Sequence, residues 1–125
     1  MRAKVLRNRG FARAARKEGL TDQTLCAAAI EIESGLIDAR LGGSLLKKRI
    51  AKGGRGRSGG FRTIVAYRRH DRLVFLYVFG KNERDNITEQ ERAALLEIGD
   101  EYMRLEADKL DTLVAKGTLI EVACE

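Results

Sequence analysis

The chain has 125 residues, 44% of them apolar, which suits one folded domain over 1–125 and excludes compositional disorder. Its net charge of +6 is unevenly held: residues 1–84 carry 20 Lys/Arg against 7 Asp/Glu, net +13, while residues 85–125 carry net −7. No apolar run approaches the ~18 residues of a membrane span, no hydrophobic signal core follows Met1-Arg2-Ala3-Lys4, and no Cys/His pair has zinc-site spacing.

The two cysteines, Cys26 and Cys124, lie far apart, and so low a count favours ordinary thiols over a disulfide. The expectation is a reduced, cytoplasmic protein without metal or cofactor.

In chain order, residues 3–7 read as a short strand. Asn8 caps a helix carrying Phe11, Ala14 and Ala15 that stops at Gly19. Thr21 starts a second helix with Leu25, Ala28, Ala29 and Ile32 on one face, ended by Gly35. Residues 44–50 then alternate as a strand, with Leu45, Lys47 and Arg49 on one side and Leu46, Lys48 and Ile50 on the other. Residues 51–60 are a glycine-rich basic loop. Residues 61–68 and 73–79 are strands rich in β-branched and aromatic residues, joined by a turn at Arg69-His70-Asp71-Arg72. Thr88 and Glu91 make a capping-box pattern opening a long helix that runs to Gly117. Residues 118–123 read as a last strand or an ordered tail. The pattern predicts an α+β fold: a twisted antiparallel sheet with an N-terminal helical hairpin and a long C-terminal helix, the helices on one face and the other face open.

Twelve basic residues fall between Lys47 and Arg84, opposed only by Asp71 and Glu83. Strands fix side-chain direction, so this density predicts a basic surface that binds phosphates by counterion release. Lys48, Lys52, Arg55 and Arg57 are candidate RNA contacts. The glycines of the loop admit close backbone approach to a phosphate, but no GxxxxGK[ST] pattern makes it an ATP loop. Tyr67 and Tyr77 are candidate stacking platforms for unpaired bases, while Phe75 and Phe79 read as core. The single histidine, His70, reads as an exposed turn residue. Cleavage of RNA would then rest on fixed cations that align 2′-hydroxyl attack and neutralise the pentavalent phosphate. A lysine among like charges, or Glu83, is the candidate base.

Four motifs carry a resemblance. Leu41-Gly42-Gly43, Lys47-Lys48-Arg49, Arg55-Gly56-Arg57-Ser58-Gly59-Gly60-Phe61-Arg62 and Phe79-Gly80-Lys81-Asn82-Glu83-Arg84-Asp85-Asn86-Ile87 resemble, in order, the RelE/HigB group of type II toxin–antitoxin toxins, over about residues 3–90. The resemblance implies messenger-RNA cleavage, often on the ribosome. It also implies a cognate antitoxin, frequently a helix-turn-helix repressor, with operator DNA bound only through the toxin–antitoxin complex. It implies that Arg62 contacts the scissile phosphate and that Lys47, Arg49, Lys81 and Arg84 complete the catalytic set. Two positions depart from the RelE pattern: Asn82 stands for a second catalytic arginine and Thr88 for a tyrosine that stacks on RNA. Two alternatives share the residues: a ParE-like toxin acting on DNA gyrase, and a non-catalytic RNA-binding module.

Overall fold

The computed structural model describes residues 3–51, 60–80 and 83–124. Among the described residues the chain forms β1 (Lys4–Asn8), α1 (Arg9–Glu18), α2 (Asp22–Glu33), β2 (Ala39–Gly42), β3 (Leu45–Ile50), β4 (Phe61–Arg68), β5 (Arg72–Gly80), α3 (Glu89–Arg104), α4 (Ala107–Ala115) and β6 (Leu119–Glu121). The α+β class and the N-terminal helical hairpin are as expected. The helix starts follow from local chemistry. Asn8 Oδ1 accepts from the N–H of Phe11 at 2.7 Å, and Thr21 Oγ1 from that of Thr24 at 3.2 Å. Thr88 and Glu91 close the capping box in both directions. Gly19 ends α1 in the left-handed region, at φ 77°.

The strands order as β2-β3-β4-β5-β1-β6. All pairings are antiparallel except β1 with β5, which run parallel from Lys4 opposite Arg72 to Arg7 opposite Phe75. The helical hairpin between β1 and the rest of the sheet gives the chain length a parallel return requires.

The open-face expectation is overturned: both faces of the sheet are covered. Val5, Leu46, Val65, Leu73 and Phe75 join Phe11 and Ala15 of α1 and Leu25, Ala28 and Ile32 of α2 in one core. Their immediate neighbours Leu6, Leu45, Ile64, Ala66 and Val74 turn the other way, into a second core with Tyr102 and Met103 of α3 and Leu110 of α4. This is the period-two alternation of a strand with apolar residues on both sides. Strands that are apolar throughout, as in Ile64-Val65-Ala66 and Leu73-Val74-Phe75-Leu76, need two covers.

The single long helix is also corrected. It breaks at Leu105, whose backbone is extended (φ −65°, ψ 139°), and resumes as α4. Two arginines take carbonyls at the end of α3. Arg72, 3% exposed, donates to Tyr102 O at 2.8 Å, and Arg68 donates to Met103 O at 3.0 Å. Cations at a helix C-terminus satisfy its orphan carbonyls and oppose its dipole. The break lets α4 turn and bury Leu110.

Strand β2 was not anticipated. It is short, and pairs with β3 across a tight turn at Gly43-Ser44. Gly43 sits at φ 49°, and a Cβ there would lie 2.9 Å from Leu96 Cδ1 of α3. The left-handed φ favours glycine there, and any side chain would also have to displace the ends of Leu96 and Asp100. Ser44 then donates its hydroxyl to Asp100 Oδ1 at 2.7 Å, tying the turn to α3.

The free-thiol expectation is overturned as well: Cys26 of α2 and Cys124 form a disulfide, with Cα atoms 5.6 Å apart. Separation in sequence hid this. Strand β6 pairs beside β1, and the chain beyond it lies against α2, where Ala123 N–H donates to Asp22 Oδ2 at 3.0 Å. That hydrogen bond, and then Arg7 at 2.6 Å, hold the Asp22 carboxyl below its ordinary pKa.

Candidate nucleic-acid interface

Strands β3, β4 and β5 place side chains in rows. In one row Lys47 lies opposite Ile64, which lies opposite Tyr77. In the next, Arg49 lies opposite Arg62, which lies opposite Phe79. Both rows project from the face that α3 covers, since Ile64, Tyr77 and Phe79 all join that core. A bulge makes this possible. The register shifts at Ile64/Val65, so that Leu76 is an extra residue in β5 and Leu76 and Tyr77 both serve the α3 side. Gly99 of α3 packs on Ala66, Leu76 and Leu45, farther along the same strands.

Arg49 is exposed, whereas Lys47, Arg62 and Tyr77 are half-buried. Arg49 and Arg62 are directly opposed like charges, which costs stability in a sheet. Arg62 keeps 13% of its side chain exposed, lies 3.8 Å from the exposed Asp85 carboxylate, and has no partner for its Nε–H among the described residues. A bound phosphate would relieve both the repulsion and the unpaired donor.

Arg84 closes the aromatic end of these rows. Its guanidinium makes a two-pronged contact with Glu91, at 2.9 and 2.7 Å, and donates from Nη2 to the Tyr77 hydroxyl at 2.7 Å. It also lies over Tyr77 and Phe79, with Cζ 5.7 and 5.2 Å from the ring centroids. The bonds from Arg84, then from the Thr88 backbone, hold the Glu91 carboxyl down at about 2, and Glu91 raises the Arg84 pKa in turn. Glu91 was legible in sequence only as a helix cap; its second role needs the fold. Glu83 accepts from Gly80 N–H at 2.7 Å, which pins the turn after β5.

Other candidates lie elsewhere. Lys48 points to the opposite face and is 6% exposed, paired with Glu31 at 2.7 Å and donating to Leu36 O at 3.0 Å. It anchors α2 to the sheet and does not join the cationic rows. Tyr67 packs on the α1/α2 side too. Arg68 and Arg72 cap α3, as described. His70 is exposed at the tip of the β4–β5 turn, at φ 63°. Lys52, Arg55, Arg57, Lys81 and Asn82 lie outside the described residues. No helix among the described residues is long and apolar enough to cross a membrane.

A family model for the RelE toxin of the RelE/RelB toxin–antitoxin system matches residues 3–122. No curated protein matches the chain.

Proposed function

The chain belongs to the RelE toxin family over nearly its whole length, and on that premise we propose that it is an mRNA interferase, a ribonuclease that stops translation. The observation that carries the reading is the convergence of Lys47, Arg49 and Arg62 on one sheet face, beside a ring pair and with an arginine donor unpaired among the described residues. Such a face grips a ribose-phosphate chain. Arg62 neutralises the non-bridging oxygens as negative charge builds on phosphorus, and Lys47 and Arg49 hold the flanking phosphates. The 2′-hydroxyl attacks its own phosphate, so positioning and charge neutralisation by side chains suffice and the reaction is metal-independent. Lys81 and the arginines of the glycine-rich loop add positive charge to the sequence that flanks these strands. Arg84 contributes through its hold on the rings.

The remaining parts of the reading are supported by the family resemblance alone. The toxin acts in the cytoplasm, on messages free or held by the ribosome. Its antitoxin is a helix-turn-helix protein, and operator DNA is bound only through their complex.

Induced expression should arrest translation and leave cleaved messages with 2′,3′-cyclic phosphate ends. Arg62→Ala, checked to be folded, should relieve both. Full toxicity in the folded Arg62→Ala variant removes the site; gyrase inhibition without cut messages replaces the reading with a ParE-like one.

A further inference from the structure

We propose that Tyr77 is a catalytic residue, the proton donor to the 5′-oxygen that leaves when RNA is cut. The proposal rests on the ribonuclease reading and names a group that reading leaves open.

Tyr77 stands in the row next to Arg62. Because Arg62 is opposite Phe79, Tyr77 is its diagonal neighbour, roughly 7–8 Å away between backbones. Both side chains are long enough to meet one phosphodiester. The phenol oxygen already accepts a hydrogen bond from Arg84 Nη2. Its own hydrogen is therefore left to donate, and no protein acceptor takes it among the described residues. As a chemical class a phenol is a stronger acid than a guanidinium ion, which suits it better to donating a proton. The other tyrosines are misplaced for this task. Tyr67 serves the α1/α2 face, and Tyr102, on α3 itself, is buried in the core beneath that helix.

Glu91 and Arg84 are positioning residues. Glu91 engages both terminal nitrogens of Arg84, which stops the guanidinium from swinging away to the substrate. Held in this way, with Cζ 5.7 and 5.2 Å from the Tyr77 and Phe79 ring centroids, Arg84 donates to the oxygen on which charge appears. In the step, the 2′-oxygen bonds to phosphorus and its proton passes to water. The bond from phosphorus to the 5′-oxygen breaks, and that oxygen takes the phenol proton. The phenolate, stabilised by Arg84, regains a proton from water. The products are a 2′,3′-cyclic phosphate and a 5′-hydroxyl.

A leaving group that needs no proton tests this. The same RNA is prepared with oxygen or sulfur at the bridging 5′ position and offered free and on a programmed ribosome. Tyr77→Phe keeps the ring; thermal unfolding confirms that it folds. It should cut the oxygen substrate slower by on the order of 10²–10⁴-fold and the sulfur substrate at nearly the wild-type rate. Arg62→Ala should be slow on both, and Glu91→Gln should lose more on oxygen than on sulfur. Equal losses of Tyr77→Phe on both substrates, or none on oxygen, overturn the assignment while leaving the nuclease standing. A wild-type protein that cuts neither substrate removes the nuclease reading, and the assignment with it.

Discussion

Removing the Cys26–Cys124 bond should destabilise the fold by about 4–5 kcal/mol without altering it. The bond links residues 98 apart in sequence. In the chain-entropy model, cross-linking a loop of roughly 100 residues removes enough freedom from the unfolded chain to favour folding by about 4.7 kcal/mol at 25 °C. The folded side of the balance changes little. Ala123 still donates to Asp22, Val122 N–H still donates to Val5 O at 2.9 Å, and β6 still pairs with β1. Denaturant unfolding of the oxidised protein, the protein in reductant, Cys26→Ser, Cys124→Ser and the double variant should give one stable species and four equally weakened ones. The corresponding fall in Tm is roughly 10–20 °C for a domain of this size. Equal midpoints with and without reductant would refute the reasoning. So would a double variant far weaker than either single one, since the loss would then belong to side-chain packing and not to the link.

Four other outcomes follow from the geometry. Arg72→Ala should cost about 2–4 kcal/mol, because it strips the end of α3 of a buried, charged donor; calorimetry reads it directly. Lys48→Ala should lower stability by leaving Glu31 and Leu36 O without their partner, yet leave the RNA cleavage rate of the folded protein unchanged. Arg49→Ala should reduce the salt slope of RNA binding by about 0.7, measured by titration at several salt concentrations, and should not lower Tm, since it relieves the repulsion with Arg62. Because the carboxyl pKa of Glu91 is about 2 in the folded chain and its ordinary value is 4.5, its contribution is whole above the ordinary value and is lost as pH falls toward 2; an acid-unfolding series with Glu91→Gln should show a shallower decline over that window.

Much of the architecture could be read from local chemistry. Asn8, Thr21 and the Thr88–Glu91 pair announced three helix starts, because a cap acts within one turn. The alternation of Lys47 and Arg49 against Lys48 was visible in β3, and it placed the first two on one side. What it could not say was which side would be buried: that depended on α2 arriving with Glu31 and Leu36 O beside Lys48. The second cover on the sheet was missed although Ile64-Val65-Ala66 carries the signal, an apolar run without alternation. Arg68 and Arg72 swelled the count of basic residues between Lys47 and Arg84, because charge alone does not distinguish an RNA backbone from the carbonyl end of a helix. The cysteine pairing was not legible, since only the return of β6 to β1 brings the tail to α2.

The position of β1 between β5 and β6 has a consequence for how the molecule is made. Its first neighbour is complete only after Gly80 has been synthesised, and its second only after Glu121. Contacts that close such long stretches of chain form late and slow the search for the native state. A nascent copy still threaded through the ribosome therefore lacks its finished sheet until its sixth strand emerges.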